Sequence, residues 1–155
     1  MALHGFFDYD GTGDADAEAL ELLRDFTDAQ WQALLAFTQT EHYRAGQSLF
    51  AAGALERALY VVADGRLEVL SPKDGRRMST IEEGSVVGEQ GFLDARPRSA
   101  EVRAITDAHV LKLSLDAFDR FTALHPDLSR AFVFDLARIL SLRLRQSNAL
   151  LVARR

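Results

Sequence analysis

The sequence has no cysteine. That excludes a disulfide framework, thiolate zinc sites and cysteine-ligated iron–sulfur clusters, and it fits a cytoplasmic protein. No apolar run approaches the ~20 residues that a membrane span needs. The N-terminus from Met1 to Asp10 has no basic stretch followed by a long apolar one, so no signal peptide is read there. Basic residues are outnumbered: 18 Lys and Arg face 23 Asp and Glu, for a net charge of −5. Bulk electrostatics therefore exclude nucleic-acid binding. The histidines, His4, His42, His109 and His125, are scattered and lack metal-ligand spacing. No Ser-His-Asp or Cys-His arrangement is visible, and nothing resembles a nucleotide cyclase or phosphodiesterase site, so an enzyme is not expected.

What is present is an ordinary globular balance, 48% hydrophobic and 26% charged over 155 residues, enough for one domain with a real core. Residues 1–16 read as an acidic segment, 17–150 as a single domain and 151–155 as a basic tail. Charge is uneven. Residues 1–30 carry eight acids against Arg24, a net −7, whereas residues 126–155 carry six arginines against Asp127 and Asp135, a net +4. Two solvated helical faces would account for this, and so would ends that attract each other within a subunit or across a dimer. The run from Asp8 through Asp10 and Asp14 to Asp16 imitates a calcium loop. The place that needs a bidentate glutamate is Ala19, however, so it reads as an acidic loop.

The pattern predicts a helix at about 16–25. A second helix opens at Thr27 and runs to about Phe37, with Thr27 and Gln30 at capping-box spacing. Trp31, Leu34, Leu35 and Ala36 form its buried stripe. From Glu41 to Ser114 short strand-like runs follow, with hairpin signals at Asp64-Gly65 and Asp74-Gly75 and a turn at Glu83-Gly84. Ser114 caps a short helix through Leu124. The last helix runs from Asp127 to about Asn148 on a stripe of Leu128, Phe132, Leu136, Ile139 and Leu140, with further apolar residues such as Phe134 and Leu144 off that stripe. The expected fold class is α+β: an antiparallel barrel or sandwich of strands, with helices at both ends.

Residues Gly88 to Val102 read GEQGFLDARPRSAEV. A phosphate needs a planar bidentate donor and backbone N–H groups, which Arg98, Ser99 and Ala100 can supply. Sugar hydroxyls need an acceptor, and Glu89 beside Gly88 is one that a ligand can approach closely. A salt-bridged surface turn would use the same residues.

The stretch also resembles the phosphate-binding cassette of cyclic nucleotide-binding domains. The likeness extends to Tyr43–Gly46 and Leu49–Gly53 as first strands, Leu59–Gly65 with Leu67–Val69 as a central hairpin, and His125-Pro126-Asp127 leading into the last helix, over roughly residues 18–150. It implies a β-roll or jelly-roll barrel, flanked by N-terminal helices and a long C-terminal helix. Glu89 would then bind the ribose 2′-hydroxyl and the Gly88 backbone would approach the sugar. Arg98 would pair with the cyclic phosphate, helped by Ser99 and the Ala100 N–H. Val69, Val86 and Val87 would line the walls. Ile139, Arg143 and Leu144 would face the base from the last helix, with Arg143 either stacked on the purine or simply exposed. Gln90 stands where the family usually has an aliphatic residue. The implied ligand is cAMP or cGMP, with no cofactor and no metal. The implied partner is a second copy through the last helix, or a downstream protein. No direct DNA binding is expected, since only Ala149 to Arg155 follow that helix. The expected function is a cyclic-nucleotide sensor whose last helix moves on binding. The alternatives are an interaction scaffold that lost its ligand and a receptor for another phosphorylated effector, such as a cyclic dinucleotide.

Overall fold

Thr27 opens the first helix of the structure, a computed structural model that describes residues 20–154. Its Oγ1 accepts from the Gln30 N–H at 3.2 Å, and Gln30 Oε1 accepts from the Thr27 N–H at 2.9 Å, the reciprocal box that the spacing predicts. Helix α1 (Asp28–Leu35) buries Trp31 and Leu34, while Leu35 is half-buried and Ala36 is exposed at the C-cap, outside the buried stripe. The helix expected at 16–25 does not form over residues 20–25, which are turns. Leu23 adopts φ 56°, which breaks a right-handed helix. The N–H groups of Leu22 and Leu23 go instead to the Gly84 oxygen at 2.8 Å and the Asp135 carboxylate at 2.6 Å. Residues 16–19 and the acidic run from Asp8 to Asp16 lie outside the described residues.

Eight strands follow: β1 (Gln39–Tyr43), β2 (Ser48–Phe50), β3 (Ala58–Asp64), β4 (Leu67–Leu70), β5 (Arg77–Ile81), β6 (Val86–Val87), β7 (Glu101–Ala104) and β8 (Ala108–Ser114). A short helix α2 (Glu89–Asp94) separates β6 from β7, and α3 (Leu115–Leu124) and α4 (Pro126–Ala153) close the chain. The expected barrel is not what forms. The strands make two separate antiparallel sheets, in the orders β1-β8-β3-β6 and β2-β7-β4-β5, and neither sheet closes on itself. The Asp64-Gly65 hairpin is a correction of the same kind. β3 and β4 belong to different sheets, so the turn between them carries the chain across the sandwich. Only glycine fits there: a Cβ on Gly65 would lie 2.4 Å from the Asp107 oxygen. Asp74-Gly75 does join a paired hairpin, β4 with β5.

Strands β3 and β8 are central to the first sheet and are covered on both faces. Leu59, Val61 and Ala63 of β3 join Leu111 and Leu113 of β8 in a core with the helices, built on Trp31, Phe121, Phe132, Leu136 and Ile139. Tyr60 and Val62 point the other way, into a core between the sheets with Leu67, Ile81, Val87 and Val102. The period of two decides which side each residue serves. It sends Val86 to the helical core and Val87 to the intersheet space.

On the outer face of the second sheet, Glu68 is only 6% exposed, because Arg77 Nη2 at 2.7 Å and Arg103 Nη2 at 2.8 Å cover it. The Arg103 hydrogen bonds first, then those of Arg77, hold Glu68 below the ordinary glutamate pKa of 4.5. A carboxylate so lowered stabilises fully above its ordinary value and loses that contribution as pH falls through the folded-state value. Glu68→Gln is therefore expected to lower stability at neutral pH and to flatten the acid loss below pH 4.5 in urea titrations. Acid dependence identical to the wild type would show that the clamp does not hold in solution.

Candidate functional site

The chain between β6 and β7 makes one short helix and an extended return, which brings Arg98 under the residue that starts the loop. Gly88 precedes α2 at φ 80°. A Cβ there would lie 2.9 Å from Arg98 Nη1 and 3.2 Å from the Ala58 oxygen, and one on Gly91 would lie 3.1 Å from the same nitrogen. Two glycines thus make room for one guanidinium. Arg98 is 4% exposed. Its Nη1 donates to the Gly88 oxygen and its Nη2 to the Ala58 oxygen, both at 2.6 Å, and its Cζ sits 4.3 Å from the centroid of the Phe50 ring. Arg98 Nε is, among the described residues, the one buried side-chain nitrogen or oxygen without a hydrogen-bond partner. Burial pushes the Arg98 pKa below the ordinary arginine value, and Tyr60, Glu56 and Glu89 pull it back up.

Glu89 is the first residue of α2 and is 7% exposed. Arg143 reaches it from α4, with Nη1 donating to Glu89 Oε1 at 2.7 Å. Arg143 Nη2 also donates to Ser85 Oγ at 3.1 Å and to the Val86 oxygen at 2.6 Å. One long-helix arginine therefore ties the helix to the start of the loop. Ser99 Oγ donates to Gln90 Oε1 at 3.2 Å, and both side chains are exposed.

These residues border a cavity of about 450 Å³, within the ~300–1,000 Å³ range of small-molecule sites. Val69, Val87, Gly88, Glu89, Gln90, Arg98, Ser99, Ala100 and Arg143 all line it. The side chains of Val86 and Ile139 do not; both are fully buried in the helical core. Leu144 is 62% exposed and turned away from the cavity. Ile139 and Arg143 share a helix face, but one turn advances α4 by ~5.4 Å, from the core to the cavity.

Sequence reasoning missed Phe50 under the guanidinium, and Met78, Ser79 and Thr80 of β5 along the rim. It also missed Gln146, Ser147 and Leu150, which line the cavity from α4. The last three stand at helical spacing from Arg143 (i+3, i+4, i+7), so that arginine sets the phase that finds them. Phe50 carries no such local signal. No histidine is among the described lining residues. His42 and His109, scattered in sequence, are cross-strand neighbours with ring centroids 4.1 Å apart, and no group of three or more metal-ligating side chains occurs among the described residues. Among the described residues, no helix is long and apolar enough to cross a membrane.

The cavity has a buried cation at one end, a carboxylate beside it, an apolar wall and a polar rim. It can hold an anion with neighbouring hydroxyls. Two curated relatives are longer chains. Glutaminase 2 of Bradyrhizobium diazoefficiens is 35% identical over 128 residues, 83% of this chain and 20% of that protein. An NTE family protein of Mycobacterium tuberculosis is 31% identical over 134 residues, 86% of this chain and 22% of that one. The chain thus spans about a fifth of the length of these relatives. The crystal structure of the Thermus thermophilus catabolite activator protein superposes with a TM-score of 0.72 at 26% identity, covering 84% of this chain and 61% of that one. A cyclic nucleotide-binding domain from Methylobacillus flagellatus shares the fold, with a TM-score of 0.78 at 22% identity over 97% of this chain and 94% of its own. The family model for the cyclic nucleotide-binding domain matches residues 40–125, from β1 to the His125 break ahead of α4. With that match over more than half its length, the chain belongs to the cyclic nucleotide-binding domain family, a regulatory binding fold rather than a catalytic one.

Proposed function

We propose that the chain is a sensor module that binds cAMP or cGMP in the cavity between the sheets and α4. The observation that carries this is Arg98: a buried guanidinium in a glycine cradle, with one N–H left over. A cyclic phosphate supplies the missing acceptor and the missing charge. Glu89 offers its carboxylate to the ribose 2′-hydroxyl, and Ser99 with the Ala100 N–H adds donors to the phosphate. Because Arg143 holds Glu89 at 2.7 Å, a hydroxyl that takes Glu89 must share it with the long helix. Binding then shifts the balance between two positions of α4. Phe134 at 77% exposed and Leu151 at 62% give that helix an outer apolar face, which a second copy would cover.

Thermal melting tests the ligand class. Saturation at 100 times Kd adds about 2.7 kcal/mol, which raises Tm by roughly 5–10 °C for a chain of this size. The expected result is such a shift with cAMP or cGMP and none with 5′-AMP at the same concentration. A flat response to both cyclic nucleotides, or an equal shift with 5′-AMP, would contradict the proposal.

A further inference from the structure

The last turn of α2 has two carbonyls that the helix itself does not satisfy. The Phe92 oxygen would take the N–H of Arg96, four residues on, but that N–H donates to Asp94 Oδ1 at 2.9 Å. The Leu93 oxygen would take an N–H from residue 97, which is proline and has none. Arg57 fills both places from the start of β3. Its Nε and Nη2 donate to the Phe92 oxygen at 3.2 and 2.9 Å, and Nη2 also reaches the Leu93 oxygen at 3.4 Å. A cation at a helix C-terminus is favoured by the helix dipole as well. Arg57 is exposed and is not among the residues that line the cavity.

What Arg57 holds bears directly on Arg98. Helix α2 has only six residues, too few to stand without outside support. Gly88 gives it no side-chain cap, and Ala95 ends it at φ 60°, a left-handed conformation that is unfavourable for alanine. The Gly88 oxygen accepts from Arg98 Nη1 at 2.6 Å and from the Phe92 N–H at 3.3 Å. Phe92 thus joins the two ends of the helix: its N–H meets the oxygen that holds Arg98, and its own oxygen is held by Arg57. The residue after Arg57 completes the frame, because the Ala58 oxygen accepts from Arg98 Nη2 at 2.6 Å.

We propose that Arg57 is a positioning residue for this site: by bonding the last carbonyls of α2 from outside the cavity, it keeps Gly88 and Glu89 set against Arg98. The hold on Arg98 rests on this geometry alone, whereas its effect on nucleotide affinity rests on the function proposed above.

The test compares the full chain with Arg57→Ala and Arg57→Lys. Without nucleotide, hydrogen exchange by NMR at the Phe92 and Ala95 amides and at the Arg98 Nε–H is expected to be at least about fivefold faster in Arg57→Ala. The Val62 amide of β3, bonded to the Ser85 oxygen, should keep its rate. With cAMP or cGMP, Kd is expected to rise about tenfold at a nearly unchanged Tm. Lysine keeps the charge but not the fork, so Arg57→Lys should fall between the wild type and Arg57→Ala in both readouts. Unchanged exchange at the Arg98 Nε–H would overturn the proposal, and so would an equal acceleration at Val62, which would mean general loosening. If the Arg98 exchange rises as expected but neither nucleotide binds the wild type, the positioning role stands and the nucleotide function falls. If the wild type and Arg57→Ala bind nucleotide equally, the positioning role is overturned and the function stands.

Discussion

Arg98→Ala is expected to weaken cyclic-nucleotide binding by at least ~2 kcal/mol, about thirtyfold in Kd, the scale of a lost charge-assisted pair. The fold should survive, and magnitudes say why. The substitution strips donors from the Gly88 and Ala58 oxygens and removes the cation from the face of Phe50. Each net hydrogen bond is worth only ~0.5–1.5 kcal/mol. Against that, the guanidinium is 4% exposed and unpaired, and burying a charge in that state costs several kcal/mol, which the alanine chain no longer bears. Stability and affinity are thus expected to separate: a Tm close to that of the wild type, with binding at least about thirtyfold weaker. Arg98→Lys checks the role of shape. A lysine keeps the charge but cannot span two carbonyls and still face a phosphate with a planar fork, so affinity should fall between the other two. Equal calorimetric Kd values for wild type and Arg98→Ala would remove Arg98 from the site.

Phe132→Ala is expected to cost ~3–5 kcal/mol, a large share of the ~5–15 kcal/mol that a domain has. Phe132 is fully buried where α4 meets α3, with its ring centroid 5.5 Å from that of Phe118. Sheet and helices close around it, so truncation leaves a cavity as well as losing contacts. Two residues along the same helix the outcome reverses. Phe134 is 77% exposed, and Phe134→Ala should change stability by less than ~0.5 kcal/mol in dilute protein. Chemical denaturation of the two variants reads this directly. Equal losses would mean that α4 does not pack on the phase described here. A loss at Phe134 that grows with protein concentration would mean that a second copy covers the outer face.

The cassette was legible in the sequence because its parts are contiguous. Gly88, Glu89, Arg98, Ser99 and Ala100 fall within thirteen residues, so local spacing brings them to one cavity whatever the rest of the chain does. Caps were legible for the same reason: Thr27 and Ser114 act on N–H groups three residues away. Sheet order is not local, and the sequence pattern does not carry it. Asp64-Gly65 has hairpin chemistry, yet the strands on either side join different sheets; turn residues fix a reversal, not the partner of the strand that follows. A closed barrel and an open sandwich likewise share the same alternation along each strand. Strand β5 has no apolar stripe of its own, because Arg77, Met78, Ser79 and Thr80 are all exposed, so its identity comes from pairing with β4. Ile139 lies one helical turn short of the cavity, and phase errors of one residue explain Val86 and Leu144. Val86 points to the core where Val87 points to the cavity, and Leu144 points outward where Arg143 points in.

Arg98 holds the Gly88 oxygen and the next residue, Glu89, holds Arg143 of the long helix, and ligand binding is the event that this connection would report. The most direct test is a calorimetric titration of the full chain with cAMP and, separately, with cGMP. The account predicts binding of one of them at micromolar Kd or tighter, weakened at least about thirtyfold by Arg98→Ala. No heat with either nucleotide, together with no change in melting temperature, would contradict it.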